Sequence, residues 1–176
     1  MHAFDMDDGL HSPTDPSPDD ARAATGDGKT LGEIGLDQFA PYLMNRAMGR
    51  WNAEIRAALK SHDLTTAQMR ALAVLSVRRR PTIQELAVLT VTEQSTMSRT
   101  LDTLEARGMI RRAAHAEDGR ARSVEMTEAG AEAFARFWPH MRQGYERMLA
   151  GIDRAEREAF VATLGKIVRN VRRHDI

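Results

Sequence analysis

The chain has 176 residues, 42% of them apolar, which is enough to bury one sizeable core, so it reads as a single domain with appendages. It contains no cysteine, which excludes disulfides, thiolate metal sites and cysteine-oxidation sensing, and its six histidines lack metal-ligand spacing; neither cofactor nor metal is expected. The formal net charge of zero is unevenly distributed: residues 1–35 carry eight acids against two bases, a net of −6, which leaves +6 on the remaining 141 and makes a nucleic-acid partner compatible with the folded part.

Residues 1–35 include HSPTDPSPDD and ATGDGKT, rich in Pro, Gly, Ser and Asp, and they lack the apolar periodicity needed to offset the entropy of ordering. They are expected to form a disordered acidic tail, either a plain solvated extension or a mimic of DNA that competes for a basic face. From Pro41 to about Lys60, the positions Leu43, Ala47, Trp51, Ile55 and Leu59 recur every fourth residue, which predicts a long amphipathic helix with its proline in the first turn. Thr65 and Thr66 offer an N-cap to a second helix that turns Met69, Leu72 and Leu75 inward and ends at Arg78–Arg80, before Pro81. That basic run is either a solvated helix end or a set of phosphate contacts. Thr82 with Glu85 forms a capping box for a short third helix carrying Ile83, Leu86 and Ala87, and Thr92 can cap a fourth.

The fourth helix places Met97, Leu101 and Leu104 at i, i+4 and i+7, with Ser95, Arg99 and Asp102 on the opposite face. Gly108 falls where a left-handed residue ends such a helix, and Asp118-Gly119 is a strong turn signal for the hairpin that follows. Short helix, turn, helix and arginine-bearing hairpin together predict a winged helix-turn-helix. Beyond it, Thr127 caps a helix whose expected stripe is Phe134, Trp138, Met141, Tyr145 and Met148, with a kink or break near Phe137 imposed by Pro139. Asp153 with Glu156 opens a last helix with Phe160, Leu164, Ile167 and Val171 on one face. These outer helices are too long for a small core to cover, so a second copy of the chain is expected to cover them. The expected fold is mainly α with a small β-hairpin wing: an acidic tail over 1–35, a helical dimerisation region over 36–62 and 127–176, and a DNA-binding winged helix over 63–126.

Candidate DNA contacts follow from residue chemistry. Ser95, Thr96, Ser98 and Arg99 lie in the first turns of the fourth helix, where hydroxyls and one guanidinium can bond bases or phosphates, and Gln94 has the fork that reads adenine. Capping and solvation compete as explanations for each hydroxyl. Arg122 joins the set, although strict strand alternation puts it on the face of Val124 and Met126. No stretch approaches the about 18 apolar residues of a membrane span and no export signal opens the chain, so a cytoplasmic protein without a membrane partner is expected. There is no GxSxG, phosphate-binding loop or dinucleotide fingerprint, so an enzyme is not expected. A winged helix that binds a protein rather than DNA remains the alternative, disfavoured by the wing arginines.

The QSTMSR core, the LEARGMIRR run over Leu104–Arg112, the EDGRAR wing and the MTEAG after it stand in an order and spacing that resembles the MarR family of bacterial transcription regulators, over residues 36–176. The resemblance implies a homodimer with intertwined terminal helices whose recognition helices enter consecutive major grooves of an inverted-repeat operator. It implies that Arg120 enters the minor groove, with Asp118 orienting it. It also implies a repressor released by a small effector, often an aromatic carboxylate; Arg46, Trp51, His62 and Arg70 are the candidate ligand residues, as cations and aromatics suited to an anionic ring. The acidic tail lies outside the family pattern.

Overall fold

The computed structural model describes residues 28–114, 122–172 and 174. The chain divides into two compact units, Met1–Ala47 and Met48–Ile176.

In the N-terminal unit the short helix α1 (Leu31–Ile34) begins at a capping box, with the Thr30 hydroxyl accepting from the Glu33 N–H and the Glu33 carboxylate accepting from the Thr30 N–H at 2.7 Å. The Thr30 N–H foremost, and the Thr30 hydroxyl that donates to the same carboxylate at 2.8 Å, hold the Glu33 carboxyl below its ordinary range. This capped turn lies inside the stretch expected to be tail: within 28–35, Thr30 and Glu33 meet the capping rule in a segment whose composition alone argues against order. Helix α2 (Ala40–Leu59) starts in this unit with Pro41 in its first turn, as its missing N–H allows.

The second unit is built on the rest of α2, a 3₁₀ turn (Lys60–His62), α3 (Thr66–Leu75), α4 (Ile83–Leu89), α5 (Gln94–Ala106), the strands β1 (Ile110–Ala114) and β2 (Arg122–Met126), α6 (Glu128–Met148) and α7 (Arg154–Val171). Its core gathers Ile55 and Leu59 from α2, Leu72 from α3, Leu86 from α4, Met97, Leu101 and Leu104 from α5, Ile110 and Val124 from the hairpin and Phe137 from α6, all buried. The strands pair antiparallel with Arg112 opposite Val124 and Ala114 opposite Arg122. A bridge from Thr82 to Ser123 and the bond from the Val124 N–H to the Pro81 carbonyl (2.9 Å) add the α3–α4 link to the hairpin's edge. Three helices closed by such a hairpin are a winged helix-turn-helix.

Most predicted elements are present, with instructive differences. Helix α3 ends at Leu75, three residues before the arginine run, and Arg80 within that run takes a left-handed φ of 54° that no helix continues. Thr65 caps α3 by a full capping box with Gln68, and Thr82 caps α4 with Glu85. Thr92 does not cap α5: Glu93 is the N-cap residue, without a side-chain bond, and the Thr92 hydroxyl turns back to the Thr90 carbonyl. Helix α6 runs unbroken through Pro139, so the break expected near Phe137 is absent. Its buried stripe is Gly130, Ala133, Phe137 and Gly144, while Trp138, Tyr145 and Met148 of the expected stripe are exposed. Phe134 and Met141 of that stripe are half-buried against the core, so the predicted stripe straddles the edge of the covered face.

Two features of the hairpin root fix the approach of α6. The Thr127 N–H bonds the Met109 carbonyl at 3.0 Å, and the Thr127 hydroxyl caps the helix at Gly130. A Cβ on Gly130 would stand 2.1 Å from the Met109 carbonyl oxygen, so the glycine is required by contact with backbone.

Candidate nucleic-acid interface

Helix α5 is anchored from behind and bare in front. Met97, Leu101 and Leu104 are fully buried, and the helix ends in a Schellman motif: the Gly108 N–H bonds the Glu105 carbonyl, the Met109 N–H bonds the Leu104 carbonyl, and Gly108 supplies φ 67°. The opposite face presents Gln94, Ser95, Thr96 and Arg99 exposed and Ser98 half-buried. None of these five side chains is hydrogen-bonded to another described residue, whereas Thr100 and Thr103 further along bond back to the carbonyls of Thr96 and Arg99. The N-terminal half of α5 therefore leaves these side-chain donors and acceptors without a partner among the described residues, a condition that a helix reading a groove must meet.

The wing root carries a second set of charges. The Arg112 side chain, only 15% exposed, bonds Asp102 at 2.7 Å and Glu105 at 3.1 Å on α5. On the other face Glu125 accepts from Arg111 (2.5 Å) and from Arg80 (2.7 Å), so two exposed guanidiniums are gathered at one carboxylate. Arg80 thus has a structural partner, while Arg78 and Arg79 are exposed without a described one. Arg122, at the start of β2, is exposed even though Val124 on the same nominal face is buried, because Ser123 and Val124 are covered by the Pro81–Thr82 segment and Arg122 lies beyond that cover. Asp118 and Arg120 lie outside the described residues.

The four candidate ligand residues have separate described partners. Arg46 belongs to the N-terminal unit and stacks over the Tyr42 ring at 5.8 Å. Trp51 lies half-buried against Gly144, and His62 packs edge-on against Phe137 (5.2 Å) and His140 (4.9 Å). Arg70 donates to the Asn52 side chain at 3.2 Å and lines a cavity of about 440 Å³ with Met69, Ala73, Leu89, Thr90 and Met141. Among the described residues no cluster of three or more His, Cys, Asp or Glu could hold a metal, and no helix is long and apolar enough to cross a membrane.

Sequence reasoning missed both charge sets, Arg112 with Asp102 and Glu105, and Glu125 with Arg111 and Arg80. A signal existed: Arg112 stands two residues after buried Ile110, so alternation places it on the inner face, where a charge needs a partner.

The fold and this face together define a winged-helix transcription regulator. Comparison with known proteins names the lineage: a family model described as "MarR family" matches residues 62–121. A MarR-family transcriptional regulator from Silicibacter pomeroyi of known structure is 48% identical, with 84% of this chain and 100% of that one covered at a TM-score of 0.80. The transcriptional repressor IacR of Pseudomonas putida is 24% identical over 161 residues, spanning 92% of this chain and 89% of that protein. The Bordetella bronchiseptica regulator BpsR, whose DNA binding is regulated by 6-hydroxynicotinic acid, shares the fold at a TM-score of 0.64 and 24% identity over 76% of this chain and 95% of that one. The chain belongs to the MarR family of transcriptional regulators.

Proposed function

We propose that this protein is a homodimeric, sequence-specific repressor that reads an inverted-repeat DNA operator with its two α5 helices and leaves it when a small aromatic carboxylate binds. The observation that carries the reading is the uncommitted face of α5: Gln94, Ser95, Thr96, Ser98 and Arg99 project from a helix whose other face is locked into the core. Arg122 supplies a cation at the wing, and Asp118 and Arg120 are assigned to the wing tip by the family motif. IacR is a repressor, which favours repression over activation.

Dimerisation is supported by what the single chain leaves uncovered. Helix α7 buries no residue, and Phe160, Val161, Val168 and Val171 are between 48% and 71% exposed. A two-fold copy covers such faces and sets two α5 helices one helical turn of DNA apart, about 34 Å.

The effector is assigned to the cavity beside Arg70, whose volume suits a single-ring acid and whose one cation can meet a carboxylate among apolar walls. BpsR responds to an aromatic carboxylate of this kind. A ligand there touches α3, the α4–α5 turn and α6, and shifts the population toward a half-site spacing unfit for DNA.

In vitro selection from random duplexes tests the reading. The wild-type chain is expected to enrich inverted repeats with half-sites about 10 base pairs apart, with affinity falling steeply as salt rises. Arg99→Ala is expected to weaken binding by roughly 10-fold or more. Enrichment of no sequence, or binding indifferent to salt, overturns the regulator reading; failure of every tested aromatic acid to weaken binding overturns only its sensor half.

A further inference from the structure

One side chain ties the two DNA-facing parts together. Arg112 lies on β1, and its side chain spans two turns of α5: Nη2 donates to Asp102 Oδ1 at 2.7 Å and to the Ser98 carbonyl at 3.2 Å, and Nη1 donates to Glu105 Oε2 at 3.1 Å. The backbone N–H of the same residue donates to Glu105 Oε1 at 3.0 Å, so the Glu105 carboxylate grips the strand by main chain and side chain at once. Ser98, Asp102 and Glu105 stand at i, i+4 and i+7, one stripe of the helix. The stripe begins at a residue of the proposed reading face and ends one turn before the Schellman cap.

The cost of this arrangement shows that reach is what the geometry favours. Nε of Arg112 is buried without a hydrogen-bond partner, a donor left unsatisfied so that both terminal nitrogens meet α5. A lysine at this position is a point charge on a flexible stem and cannot hold a carbonyl and two carboxylates in one plane. The charge balance matters too: without the guanidinium, Asp102 and Glu105, whose side chains are 59% and 40% exposed, would stand as two free carboxylates on the wing side of the reading helix, facing phosphate.

We infer that Arg112 is a positioning residue for operator recognition: it fixes the angle between the wing and α5, so that wing and helix engage one site together. This rests on the DNA-reading function proposed above. Arg112 itself makes no DNA contact in this role. It acts through the strand that it anchors and through the helix stripe that it neutralises.

The test compares wild type, Arg112→Met, Arg112→Lys and Glu105→Gln on a duplex of about 30 base pairs selected by the wild-type chain, reading affinity and hydroxyl-radical footprint together. Arg112→Met is expected to lower affinity about 10-fold, the scale of losing a charge-assisted contact, and to lose protection selectively at the outer flanks that the wing covers while the half-site centres stay protected. Arg112→Lys is expected to leave the flanks weakly protected. A role confined to fold stability would instead weaken centres and flanks in proportion. That uniform loss, or flanks protected as in wild type, overturns the inference. Should Arg112→Met not fold, Glu105→Gln removes the shared partner from a half-exposed position and the same selective loss is expected of it. A wild-type chain that selects no duplex overturns the parent reading instead, so the two failures are distinct.

Discussion

Helices α5 and α7 carry equally plain amphipathic patterns, yet they meet different fates in one chain. Met97, Leu101 and Leu104 of α5 are fully buried, held by α3, α4 and the hairpin, whereas α7 buries nothing and leaves Phe160 48% exposed. An amphipathic stripe states that a helix needs cover and does not say who provides it. In the winged-helix lobe the cover comes from neighbouring elements of the same unit; for α7 and the Trp138–Tyr145–Met148 face of α6 none of the described residues completes it. The lobe should thus behave as a domain whose stability is its own, and the terminal helices as a surface whose stability depends on concentration.

Truncation in the lobe gives the largest expected effect. Leu101 has no exposure and belongs to the same buried cluster as Leu72, Leu86 and Leu104, so Leu101→Ala removes its transfer energy and leaves a cavity, at a cost of about 2–5 kcal/mol. Urea denaturation at two protein concentrations checks this. The loss should be the same at both, and a loss under about 1 kcal/mol would mean that the lobe core is looser than its burial implies.

The converse break targets α7. Phe160→Asp with Val168→Asp places two charges on a face that now exposes 48% and 60% of those side chains, so the isolated chain should tolerate them. Burial in a dimer would not: losing two apolar side chains from an interface and desolvating two carboxylates should raise the dimer dissociation constant at least about 100-fold. Analytical ultracentrifugation reads the result directly. An unchanged dimer would place the interface elsewhere.

A third change works at the joint between the two regions. Gly130→Ala puts a methyl group 2.1 Å from the Met109 carbonyl oxygen and within 2.9 Å of the Met126 side chain, so α6 must move away from the hairpin root. A loss of about 1–3 kcal/mol is expected, the usual range for overpacking against atoms that cannot yield freely. Thermal unfolding followed by circular dichroism measures it, and a neutral outcome would show that the α6 start is less fixed than its bond to Met109 suggests.

How much of this was legible in the sequence depends on the range of the interaction. The N-cap at Thr65, the capping boxes at Thr82 and Asp153, the glycine that ends α5 and the α5 stripe are set by residues within four or five positions, and all appear as read. The exposed face of α5 was legible for the same reason, being the complement of the buried one. The inner stripe of α6 was not, because Gly130, Ala133 and Gly144 are small and carry weak periodicity; their burial follows from close contact with backbone and with Trp51. Nor was the Arg112 clamp, whose partners lie seven to fourteen residues away across a strand–helix junction. The arginine run was read as the end of α3 but lies beyond it, and the pairing of its left-handed Arg80 with Glu125, 45 positions later, is something no local rule contains.

The smallest effect is expected inside the lobe itself, at one of its left-handed turns. Val91, in the turn between α4 and α5, takes a φ of 52° and leaves 89% of its surface exposed. A β-branched residue pays about 1–2 kcal/mol in that conformation, and here no burial offsets it. The turn is nonetheless held, since the Thr92 N–H bonds the Ala87 carbonyl at 2.9 Å and Thr90 is buried with its hydroxyl on the Leu86 carbonyl at 2.7 Å. Val91→Asn, which tolerates the left-handed region, should therefore stabilise the protein by about 1 kcal/mol without altering the burial of α5. If urea denaturation shows no gain, the exposed valine is contributing something that the isolated fold does not display. Val91 also borders the cavity beside Arg70, so the same variant should then be titrated with aromatic carboxylates, where a lost response would assign the strain to effector sensing.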